Sequence, residues 1–141
     1  MTEETGNWVR ERAECTTTGF LRNLRESISA DVIDANRQFE PEKSFSLSCA
    51  DEPDLKVFCR IKGEEQDAVF VVYKRAGDCA LSAFYYAHNG SGRALYSEQP
   101  LGRVDLEWDR RSHSCAIKLC GEPLSLVDLR RKTLGKLFFG D

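Results

Sequence analysis

From Ser44 to Cys120 the chain alternates apolar and polar residues with period two, and every break between the alternating runs is short. Parallel pairing needs a crossover of about a dozen residues or more, so runs joined by tight turns must pair antiparallel, each with the next. Phe45, Leu47 and Cys49 share one face, with Ser44, Ser46 and Ser48 on the other. Leu55, Val57, Cys59 and Ile61 form the next inward set, followed by Val69, Val71 and Tyr73, then Cys79, Leu81, Ala83 and Tyr85. Asn89-Gly90 is the strongest hairpin signal, because both residues tolerate positive φ. A short strand near Ala94–Tyr96 should pair back, and Pro100 and Gly102 should then turn the chain into Val104, Leu106 and Trp108. Cys115, Ile117 and Leu119 close the sheet, and Gly121-Glu122-Pro123 ends it.

Helical periodicity flanks this region. From about residue 7 to 38, Val9, Ala13, Thr17, Phe20, Leu24, Ile28 and Val32 recur every three or four residues and make one apolar stripe. Thr16-Thr17-Thr18-Gly19 is its weak point, since β-branched residues and glycine cost helix propensity; a short helix followed by a longer one from Thr18 is the alternative. A second helix is expected over about 125–138, with Ser125 as N-cap and Leu126, Val127, Leu129, Thr133, Leu134, Leu137 and Phe138 on one side. Leu24 and Leu137 should anchor the two helices on the sheet. The expected fold is α+β, one domain over residues 1–141: an antiparallel meander of six or seven strands between about 44 and 120, flanked by an N-terminal and a C-terminal helix.

Several strands carry apolar residues on both faces. Phe58, Phe70, Val72, Phe84, Tyr86 and Tyr96 are out of phase with the inward sets and should form a contiguous apolar, aromatic patch on the second face. Such a surface is seldom left in water. It could be covered by one of the helices, line a cavity inside a curled sheet, or meet another protein or a second copy of the chain.

Other chemistry is weakly signalled. His88 and His113 fall at expected turns without a carboxylate or thiol at a catalytic spacing. No closely spaced Cys or His pair matches a metal site, so neither a metal nor a cofactor is expected. Asn89-Gly90-Ser91-Gly92-Arg93 joins two strands rather than opening a helix, which makes it a turn and not a phosphate cradle. The net charge of −3 gives no general attraction for nucleic acid, and Arg130-Arg131-Lys132 suits the end of a helix dipole. No run of about 18 apolar residues indicates a membrane span. The acidic start, Met1-Thr2-Glu3-Glu4-Thr5, lacks the pattern of a secretory signal, so a cytoplasmic protein with six reduced, structural cysteines is expected. Together these point to a non-catalytic protein-interaction module, an adaptor or chaperone-like unit that self-associates or binds a protein through the apolar sheet face. The alternative is a small-ligand-binding domain or enzyme with a pocket between sheet and helix.

Overall fold

The computed structural model describes residues 2–88 and 95–140, and side chains from Trp8 onward. Its order is α1 (Thr2–Ala13), α2 (Thr17–Phe39), β1 (Lys43–Leu47), β2 (Leu55–Ile61), β3 (Val69–Gly77), β4 (Ala80–His88), β5 (Tyr96–Asp109), β6 (Ser114–Leu119), β7 (Glu122–Leu124) and α3 (Leu126–Phe139). The seven strands form one antiparallel sheet in sequence order, an α+β meander between helices.

The N-terminal stripe does not run through as one helix. It breaks at Glu14–Thr16, as the run of threonines and glycine allows, and Thr16 caps α2 by accepting the Gly19 N–H at 3.2 Å. A β-carbon on Gly19 would lie 2.3 Å from the Ala13 carbonyl oxygen, so only glycine lets the two helices join this closely. Thr17 is fully buried; its N–H reaches the Asp78 carbonyl at 2.7 Å and its hydroxyl accepts the Ala80 N–H at 3.0 Å. The start of α2 is thereby pinned to the β3–β4 turn. Val9, expected in the core stripe, is instead 60% exposed on α1, and its neighbour Trp8 is 58% exposed.

The core lies between one face of the sheet and the pair α2 and α3. Phe20, Leu24, Ile28 and Val32 from α2, and Leu129, Leu134, Leu137 and Phe138 from α3, meet Phe45, Val57, Val71, Ala83, Tyr85, Val104 and Leu106. Leu24 and Leu137 are buried as anchors, sites where truncation to alanine costs about 2–5 kcal/mol. Polar ties fix the layers. The Tyr73 and Thr133 hydroxyls are 2.6 Å apart inside the core, and Arg130 Nε bonds Asp31 Oδ2 at 2.8 Å between α3 and α2. Asn36 accepts the Phe45 N–H at 2.7 Å and donates to its carbonyl at 3.0 Å, occupying backbone groups of edge strand β1 as a neighbouring strand would. Val127, expected on the core face of the last helix, is 44% exposed.

Three details of the sheet depart from the sequence reading. Pro100 and Gly102 do not turn the chain: β5 runs unbroken for 14 residues and absorbs Leu101 as a bulge, with Ala83 opposite Gly102 and Phe84 opposite Pro100. Gly102 has φ +139°, and a β-carbon there would come within 2.5 Å of Cys120 Sγ. Glu122–Leu124 does not end the sheet but adds an edge strand, through a Cys120-Gly121 turn in which both residues have positive φ. Cys79 lies exposed in the β3–β4 turn, and Cys49 lies exposed beyond β1, where Ser48 takes the buried place. The expected Asn89-Gly90 turn falls outside the described residues; the strands on either side pair as a hairpin, His88 opposite Tyr96.

The cysteines give the largest correction. Cys15 and Cys115 form a disulfide with Cα atoms 5.3 Å apart, tying the α1–α2 junction to β6 across 100 residues of chain. Sequence spacing could not reveal it, because the partners meet only once the helix break brings Cys15 over the sheet edge. Cys49, Cys59, Cys79 and Cys120 are free. Alkylation under denaturing, non-reducing conditions should therefore label four thiols, and reduction should cost about 2–5 kcal/mol of unfolding free energy. Six labelled thiols with stability unchanged on reduction would contradict the bridge.

Candidate functional site: the open face of the sheet

Helices α2 and α3 pack on the same side of the sheet, and among the described residues no helix lies over the other side. Strand pairing sets what that side displays. One cross-strand row reads Ser46, Phe58, Phe70, Tyr86, Glu98, and the next reads Lys56, Val72, Phe84, Pro100. His88 and Tyr96 face each other one step beyond the first row, and Lys74 and Ser82 one step beyond the second. Each strand puts alternate residues on this face, so the aromatic side chains from four strands come together.

The rings make one connected cluster. Phe70 is central: its centroid lies 5.6 Å from Phe58, 4.7 Å from Tyr86 in a nearly parallel stack, and 4.9 Å from Tyr96 edge-on. Phe84 sits 6.5 Å from Tyr86, and His88 packs edge-on against Tyr96 at 5.3 Å. All five of these Phe and Tyr rings are half-buried by their neighbours alone. Val72 differs. It points to the same face yet is only 2% exposed, walled in by the side chains beside it, so it is the floor of the patch and not a contact surface as expected. His88, expected as a solvent-exposed turn residue, is half-buried at the end of β4 within this patch.

Polar groups frame the rings. Lys74 Nζ stands 5.4 Å over the Phe84 ring, Lys56 lies on β2 opposite Val72, and the Asp54 charge also reaches this face, where it helps raise the Tyr86 phenol. On β5, Glu98 Oε2 accepts the Tyr86 hydroxyl at 2.6 Å. Tyr96 donates its hydroxyl to the Asp67 carbonyl at 2.9 Å, and Arg60 pairs with Asp67 at 3.3 Å. Farther along β5 and β6 the charges neutralise one another, Arg103 with Asp105 and Lys118 with Glu107. Burial raises the Tyr96 phenol, with the Asp67 charge adding to it and Arg60 opposing. The hydrogen bond to Glu98 pushes Tyr86 up to about 12, aided by burial and by the Glu98 charge.

The remaining candidates do not assemble. His113 is exposed in the β5–β6 turn at φ 53°. It lines a depression of about 390 Å³ between helix and sheet together with Glu11 and Glu14, but Glu14 is paired with Arg10 at 3.3 Å and no hydrogen bond joins His113 to either acid. Among the described residues no three His, Cys, Asp or Glu side chains converge as a metal cluster would. Arg130 is paired with Asp31 at 2.8 Å and Arg131 with Asp128 at 3.7 Å. No helix is long and apolar enough to cross a membrane among the described residues. Comparison of the chain with protein-family models, with curated proteins and with solved structures finds no match.

The Tyr86–Glu98 pair offers a direct probe of this face. Because the folded pKa lies above the unfolded one, the pair's contribution to stability is complete below about pH 10 and is lost as pH rises toward the folded value. Ultraviolet titration should find one tyrosine ionising near 12, and Glu98→Ala should bring it back toward the ordinary value. An unchanged titration curve in that variant would remove Glu98 as the cause.

Proposed function

We propose that the protein is a non-catalytic interaction module that self-associates face to face through the open side of its sheet. The observation that carries this reading is the Phe58, Phe70, Phe84, Tyr86 and Tyr96 cluster, which no described helix covers. Transfer of a phenylalanine ring from water to a packed interior is worth roughly 1.5–3 kcal/mol, so a second surface laid on this cluster has a substantial driving force. Aromatic residues are also enriched at interface centres, with polar residues at the rim.

Charge placement favours a second copy as the occupant. Lys56 and Lys74 lie on β2 and β3, and the acidic Glu98 lies on β5. A two-fold axis along the strands through the ring cluster lays each copy's lysines toward the other's Glu98. Such self-complementarity is the requirement of an isologous interface. The row of Ser44 and Ser46 on β1 forms a polar margin on one side, and the paired charges of β5 and β6 form one on the other. A cytoplasmic setting fits the four free thiols, three of them exposed, whereas the Cys15–Cys115 bridge is a feature of oxidising compartments.

Phe70→Glu combined with Phe84→Lys should convert a parent that sediments as a dimer into a folded monomer. The helical core is on the other side of the sheet, so the circular dichroism spectrum should be retained. A parent that stays monomeric at high concentration and captures no partner would refute the reading, as would a double variant that remains dimeric.

A further inference from the structure

A different concave surface opens where the start of α2, the β1–β2 connection and the end of β3 come together. It has a volume of about 450 Å³ and is lined by Arg22, Arg25 and Arg75, with the Thr18 hydroxyl in its wall and Leu21 and Leu55 as apolar walls. Arg25 is held rigidly. Its Nη1 donates to the Ser48 carbonyl at 2.6 Å, and Nη2 donates to the Cys49 carbonyl at 3.2 Å and to Ser48 Oγ at 3.4 Å. Arg75 Nη2 donates to Thr18 Oγ1. Arg22 has neither a hydrogen bond nor an ion pair among the described residues.

No carboxylate pairs with these three guanidinium groups among the described residues; Arg12, Arg110 and Arg111 also lack such a partner, but here three unpaired arginines line one concave surface. Arg10, Arg37, Arg60, Arg103, Arg130 and Arg131 all pair with carboxylates. The three arginines here bond neutral oxygens or nothing, in a chain with 23 acidic and 20 basic residues. Glu52 also lines the cavity but forms no ion pair with any of them. Fixing guanidinium groups on neutral acceptors orients them while leaving their full charge for a ligand, which lowers the ordering cost of binding.

We propose that this cavity binds a small phosphomonoester, with its dianion among the three guanidinium groups and its organic body against Leu21 and Leu55. Three guanidinium charges without carboxylate partners suit a dianion better than a single carboxylate. Thr18, in the first turn of α2, adds the favourable end of the helix dipole. The volume is that of a small-ligand site. The proposal is independent of the sheet face, which is formed by the opposite side of the sheet.

Isothermal titration of the full chain with phenyl phosphate, inorganic phosphate and benzoate, at constant ionic strength, tests it. Phenyl phosphate should bind at least about tenfold more tightly than the other two. Arg22→Gln and Arg75→Gln should each weaken it by about tenfold or more, the usual loss for a hydrogen bond to a charged group. Arg25 also holds the β1–β2 connection, so the other two arginines carry the test. Arg37→Gln, at the far end of α2, should leave binding unchanged. Absence of phenyl phosphate binding at millimolar concentration, equal binding of benzoate, or equal weakening by Arg37→Gln would overturn the proposal.

Discussion

The structure depends on a mismatch between its sheet and its helices. Seven antiparallel strands bring apolar side chains to both faces in the middle of the sheet, while the chain supplies helices for one. Helices α2 and α3 are tied to that one side by the buried contacts of Thr17 with the β3–β4 turn and of Tyr73 with Thr133, and to each other by the half-buried Asp31–Arg130 pair. The opposite face solves part of the problem by itself. Its rings stack, half-bury one another and cover Val72, so the patch is a packed layer that presents aromatic faces to its surroundings rather than a scatter of exposed residues.

Much of this was legible from alternation. Period two placed Phe58, Phe70, Phe84 and Tyr86 on the second face, and short turns required the meander; both follow from backbone geometry that no tertiary contact overrides. What escaped the sequence depends on distant partners. Beside the bulge at Leu101, Gly102 lies so close to Leu119 of β6 and Cys120 of the following turn that a β-carbon there would clash, a contact between residues distant in sequence. The Cys15–Cys115 bridge depends on where the α1–α2 break sets Cys15 down. Lys56 and Lys74 follow the same alternation, yet their charge hides from an apolar pattern the long stems that frame the rings. The arginine-lined cavity had no sequence signal, since Arg22, Arg25 and Arg75 meet only when β3 returns beside α2.

These features divide the molecule by role. The helical side, with its disulfide, closes a core in which the few polar groups, Thr17, Tyr73 and Thr133, are hydrogen-bonded. The open face, aromatic and framed by charged side chains, is the surface on which the proposed self-association rests. The arginine-lined cavity lies where the start of α2 meets the β1–β2 connection and the end of β3.

The central claim is that the ring cluster becomes buried against a second copy. Incorporating 4-fluorophenylalanine at position 70, and separately at the core position Phe45, isolates the two sides of the sheet for fluorine NMR. On serial dilution the resonance at position 70 should shift and gain solvent accessibility as dimers dissociate, while that at position 45 stays constant. A position-70 resonance that is solvent-accessible and unchanged across the whole dilution range would contradict the account.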